Sequence, residues 1–251
     1  MKKSLFLLVI ISIVNLACGN IVKPSSSSKD VNKNHHFKSI FDGKTLNNWK
    51  VYGHQKDIEK TYWKVENGTI TCNTLNDADH GAIWLFYEYE LDDFELKLKF
   101  QTPRNSTGNS GVQIRSQYTL ETHDIDGPQI DIHPSASYRT GLLYDETDGY
   151  DRWIYPSKSN WEITKEEANN KSRYYYEDEE NGWNELYISC VGTKIKTILN
   201  GVVVCDFDGE GILNDKIHIE QNVGMMGKIA LQVHNKHKLL IRFKDIQLKE
   251  L

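Results

Sequence analysis

Three short segments set chemically capable side chains at every second position. Residues 111–117 read Gly-Val-Gln-Ile-Arg-Ser-Gln, which spaces Gln113, Arg115 and Gln117 two apart. Residues 129–133 space Gln129, Asp131 and His133 in the same way, and residues 230–234 space Gln232 and His234. In an extended strand, alternate residues share a face about 6.5–7 Å apart, so three such strands side by side would form a wall of donors and acceptors. Solvated sheet faces favour Lys, Glu and Thr. Gln, Arg, Asp and His suit a site that needs hydrogen bonds of fixed geometry, with Asp131 and His234 able to move protons and Arg115 able to hold negative charge.

The elements that must position these residues read as short strands between turn signals. Runs rich in β-branched and aromatic residues fall at 63–66, 69–72, 94–100, 111–117, 129–133, 186–191, 194–199, 202–207, 228–234 and 239–248. That spacing predicts an all-β sandwich. Asn67-Gly68 and Asn200-Gly201 supply the positive φ values of tight hairpins. Phe94, Leu96, Leu98 and Phe100 alternate with charged residues, so one side of that sheet faces water. Thr164 with Glu167 three positions on predicts a capped short helix inside a surface insertion over 165–180.

Bulk properties narrow the function. Lys2 and Lys3 precede an apolar run over 5–14 that ends in Leu16-Ala17-Cys18. This predicts a signal peptide over 1–17, lipidation at Cys18, and an outer-membrane lipoprotein facing the periplasm. Asn15 stands where a bulky aliphatic residue is usual in such a motif. Residues 18–36 are polar, Ser-rich and aperiodic, and read as a flexible tether to one domain over 37–251. A net charge of −5 argues against nucleic acid as a partner. Thirteen Tyr and six Trp fit both a sandwich core and a surface that stacks on sugar rings. Cys72, Cys190 and Cys205 read as buried thiols, since Cys190 and Cys205 fall on the outer strands of a three-strand meander.

Fragments along 41–251 resemble the bacterial 3-keto-disaccharide hydrolase domains. They include Phe41-Asp42-Gly43-Lys44-Thr45-Leu46 with Trp49, Trp63-Lys64-Val65-Glu66-Asn67-Gly68, Asn109 to Ser116, Gly127-Pro128-Gln129-Ile130-Asp131-Ile132, Gly141 to Glu146, Gly182-Trp183-Asn184-Glu185, and Gly227 to His234. The resemblance implies a concanavalin A-like jelly-roll sandwich acting on a carbohydrate oxidised at C3. Pro128 departs from the Tyr usual before the Gln of that motif, which changes one wall of the expected cleft.

A 3-ketone acidifies the C2 hydrogen, so the implied reaction is removal of that proton, loss of the C1 substituent, and hydration. It needs a base, a stabiliser for the enolate and an acid for the departing oxygen. The candidates are His234 or Asp131 as base, Arg115 as oxyanion partner, and Glu146 or Asp145 as acid. Gln113, Gln129, Asp145, Arg152, Trp153 and Gln232 complete the expected sugar contacts. Asp131, His234 and Glu146 are also suitable ligands for a divalent metal ion that would stabilise an enolate. No nucleotide-cradling glycine motif is visible, so a separate sugar dehydrogenase must supply the ketone. Three other readings share these features. They are a noncatalytic lectin-like module, a retaining glucanase, which would need carboxylates where Gln129 and His133 stand, and a purely structural surface lipoprotein.

Overall fold

The computed structural model describes residues 36–251. The expected leader, the expected lipidation site Cys18 and the expected tether as far as residue 35 lie outside them. Two sheets of eight strands each carry the chain, with every strand pair antiparallel. The back sheet runs in the order Val202–Asp208, Lys194–Leu199, Asn184–Val191, Phe94–Gln101, Leu240–Glu250, Thr69–Asn73 and Trp63–Glu66, and Lys38–Ser39 pairs with Leu240–Glu250. The front sheet runs Arg152–Tyr155, Leu143–Asp145, Pro128–Ile132, Ser110–Thr119, Lys228–Val233, Ile83–Tyr87 and Trp49–Tyr52, and Asp124–Asp126 pairs with Ser110–Thr119.

Period-two burial builds the core between the sheets. Phe94, Leu96, Leu98 and Phe100 are buried while their neighbours are not, as the alternation requires. Val112, Ile114, Ile130, Ile132, Leu231 and Val233 face them from the front sheet in the same hydrophobic cluster. Their strand neighbours therefore face outward, and this carries the polar residues to one surface. Both Asn-Gly hairpins form, with φ of 49° and 77° at Asn67 and Gly68 and of 50° and 82° at Asn200 and Gly201. Cys72, Cys190 and Cys205 are free, buried thiols, and burial pushes Cys190 and Cys205 up to about 12. The capping box at Thr164 and Glu167 is present, although its helix is only Lys165–Ala168.

The Ile83–Tyr87 strand carries no alternation in sequence because both of its faces are covered. Ile83, Leu85 and Tyr87 enter the main core, whereas Trp84 and Phe86 join a second cluster with Ile125 and Ala230 on the outer face of the front sheet.

Candidate active site

The register of the front sheet lays out two rows on its outer face. Gln232 lies opposite Gly111, and Gly111 opposite Asp131. In the next row Ala230 lies opposite Gln113, Gln113 opposite Gln129, and Gln129 opposite Tyr144. Gly111 makes this floor possible, because a Cβ there would sit 2.1 Å from Gln129 Oε1. Gln113 Nε2 donates to Gln129 Oε1 at 3.1 Å and to Glu146 Oε2 at 2.8 Å. Gln232 Nε2 donates to both oxygens of Glu146 at 3.0 Å.

Glu146 is thus held from beneath by two buried amides. Burial pushes its carboxyl up to about 8; the amide bonds oppose the shift and the charges of Asp124 and Asp131 add to it. At neutral pH it is mostly a carboxylic acid, able to give a proton.

Asp131 is buried beside it with a different set of partners. Asn109 Nδ2 donates to Oδ1 at 2.6 Å, and Arg139 Nε donates to Oδ2 at 3.0 Å. Arg139 comes from the turn Pro134–Arg139, its guanidinium 4.9 Å from the Trp153 ring. Just past the Lys228–Val233 strand, His234 Nδ1 lies 3.3 Å from the carbonyl oxygen of Asn235. A carbonyl only accepts, so Nδ1 carries the hydrogen and Nε2 is the basic nitrogen. His234 stacks on His237 at 4.4 Å, and His237 Nδ1 accepts from the Asn109 N–H at 2.8 Å. Burial first, then the neighbouring His234, His133 and His80, pull His237 down to about 4, so it stays neutral. His133 caps its turn by accepting from Ala136 N–H at 3.2 Å, and burial lowers it too. Gln129, Asp131, Glu146 and His234 line a cleft of about 570 Å³, together with Tyr144, Asp151 and Trp161.

Of the residues singled out in the sequence, Gln129, Asp131, Glu146 and His234 meet in this cleft. Gln113 and Gln232 lie beneath it, buried, where they hold Glu146 and do not line the cleft. Arg115 is elsewhere. Its φ of 50° and the register shift opposite Lys228 and Ala230 break the alternation, so it does not share a face with Gln113. The guanidinium is fully buried, donating to the carbonyls of Asp92, Gly192 and Gly224 and to Asp93 Oδ1 at 2.5–3.1 Å. Asp145 turns away from the cleft toward His218 and Arg152, and Trp153 is a core residue. Asp131, His234 and Glu146 do not form the metal-binding set expected of them: among the described residues no three His, Cys, Asp or Glu are grouped to hold an ion. Asn109, Arg139, Tyr144, Asp151, Trp161 and His237 line the same cleft and are not among the candidates the sequence offers. The His-x-x-His spacing at a strand end could have flagged His237, whereas Arg139 and Trp161 lie in loops without a periodic signal.

Two antiparallel sheets, with carboxyl, amide and imidazole groups lining a cleft on one sheet face, define a concanavalin A-like β-sandwich protein. The chain belongs to the 3-keto-alpha-glucoside-1,2-lyase-like domain family, whose sequence model matches residues 36–249. It is similar to the 3-keto-disaccharide hydrolase of Bacteroides thetaiotaomicron, 33% identical over 97 residues that cover 37% of this chain and 31% of that protein. Two solved structures share the fold. A Parabacteroides distasonis protein provisionally assigned as a glycosyl hydrolase is 18% identical with a TM-score of 0.51, over 88% of this chain and 97% of that one. A Bacillus subtilis protein of galectin-like fold is 8% identical with a TM-score of 0.52, over 86% and 98%.

Proposed function

We propose that the cleft cleaves 3-keto-glycosides by elimination. Glu146 carries this reading: a carboxyl gripped by two amides, without a cation, and pushed up to about 8 is an acid at neutral pH. Family membership and the name of the Bacteroides relative support the substrate class. His234 Nε2 takes the C2 proton, which the C3 ketone acidifies. As the enolate collapses, the C1–O bond breaks and Glu146 delivers its proton to the departing oxygen. The product is an unsaturated ketone with a C1–C2 double bond, and water restores the sugar by adding OH at C1 and H at C2. Arg139 replaces Arg115 as the cation that faces the developing oxyanion, its position fixed by Asp131.

The substrate ketone must come from a separate sugar dehydrogenase. The leader and Cys18 fit a lipid-anchored protein facing the periplasm; acyl labelling that survives Cys18→Ala would overturn that placement. Catalysis is tested with a 3-keto-glucoside and its unoxidised parent, following aglycone release and deuterium exchange at C2. Release from the ketone alone, with exchange, is expected. Binding of both without turnover would leave a noncatalytic sugar-binding protein.

A further inference from the structure

Trp161 is 64% exposed, although it is the largest side-chain type and sits on the cleft wall. An indole left in water forgoes the free energy of burying its apolar face, so an indole held there rigidly is a candidate contact surface. The loop that carries this one is held at several points. Trp153 Nε1 donates to the Trp161 carbonyl at 2.9 Å, and Trp153 is itself fully buried. Two backbone bonds of 3.0 Å join Trp153 and Lys158. Tyr138 Oη donates to the Ile163 carbonyl at 3.2 Å, just before the capped helix. The loop is therefore fixed on both sides of the indole.

The rest of that wall has a matching chemistry. Tyr144 lies edge-on against Trp153 at 5.0 Å, and Asp151 lines the same cleft. His234 follows the Lys228–Val233 strand, which lies three strands along the front sheet from Leu143–Asp145, and Glu146 reaches from the end of the latter strand to Gln232 on the former. The geometry points to Trp161 as the platform of a leaving-group subsite, which stacks on the C–H face of a second pyranose ring while Asp151 accepts from its hydroxyls. This assignment rests on the elimination reading, since that reading decides which side of the cleft the departing group occupies. Sugar C–H groups carry partial positive charge and suit the negative face of an aromatic ring, and a carboxylate beside the platform favours a hydroxylated ring over a bare aryl group.

The test compares three ketones on the purified full chain and on Trp161→Ala: a 3-keto-disaccharide, an aryl 3-keto-glucoside, and methyl 3-keto-glucoside, whose leaving group has no ring. The preference for the disaccharide over the methyl compound, as a ratio of kcat/KM, is expected to fall at least about tenfold, the loss usual when a buried aromatic anchor is truncated. Trp161→Phe should recover part of it. Equal losses on the disaccharide and methyl compounds, or no loss, would overturn the subsite; a fall confined to the aryl compound would overturn the assignment to a sugar ring. If the wild-type chain turns over none of them, the elimination reading fails, and calorimetry with the unoxidised disaccharide and methyl glucoside judges the subsite alone. Weaker disaccharide binding by Trp161→Ala then upholds it, and unchanged binding removes it.

Discussion

Asp145 and Glu146 are consecutive carboxyl residues at the end of one short strand, yet their surroundings are opposite. Asp145 is fully buried on the inner side, where His218 Nε2 lies 3.3 Å from Oδ1 and Arg152 Nε 3.4 Å from Oδ2. Behind it, His218 Nδ1 meets Asp215 at 2.9 Å, and Tyr150 donates to the other oxygen of Asp215 at 2.6 Å. Burial alone would push His218 down, but the bonds and charges of Asp145 and Asp215 outweigh it and leave it raised. Glu146, on the outer side, is met by neutral amides and is pushed up to about 8 by burial. Partner type, more than burial itself, decides whether a buried carboxyl here is held as an ion or kept protonated.

The sharpest way to break this comparison is to alter Glu146. Glu146→Gln keeps the shape but removes the proton, and is expected to lower kcat on a 3-keto-disaccharide about 100- to 10,000-fold while leaving the urea midpoint nearly unchanged. A stability loss with little loss of rate would show that Glu146 belongs with Asp145.

Next in size is pH. Glu146 acts protonated, so activity should fall as pH rises through about 8, the value to which burial pushes it, and should drop about tenfold per unit beyond. A pH–rate profile flat to pH 10 would contradict this assignment.

On the inner side the expected loss is stability. His218→Phe leaves Asp145 and Asp215 without their imidazole and should cost about 3–5 kcal/mol in denaturant unfolding. Because the folded His218 is raised, its contribution is complete below the unfolded value near 6.5 and is lost as pH climbs through the folded one. The gap between wild type and variant should therefore be wider at pH 6 than at high pH, and a gap that grows with pH would reverse the sign argued here. Arg115→Met tests the same idea at the other buried cation: it should destabilise the fold, with the turnover of the remaining folded protein close to normal.

The smallest effect concerns the amides. Gln232 lowers Glu146 against the burial that raises it, so Gln232→Leu should move the alkaline limb to higher pH and change the rate at pH 7 by less than about tenfold. A limb that moves down would mean that Gln232 does not act on Glu146 as an amide donor.

The alternation of apolar and polar residues, the Asn-Gly turns and the Thr164 capping box were all legible because each is a local rule. A strand shows its two faces in its own spacing, and a tight hairpin needs its two positive-φ residues wherever it stands. The sequence by itself therefore determined the sandwich, the buried thiols, and the presence of Gln113, Gln129, Asp131 and Gln232 on one sheet face. The Ile83–Tyr87 strand escaped, since a strand covered on both sides has no period to read.

Which polar residue meets which is set by contacts between distant segments of the folded chain. One left-handed residue turned Arg115 out of the row that its spacing predicts. The end of the Leu143–Asp145 strand sent Asp145 to His218 and Glu146 to the amides of two other strands. Arg139 and Trp161 reached the cleft from loops whose sequence carries no period. A bulge or a loop closure depends on contacts between segments far apart in the chain, and those are energies that no local pattern contains.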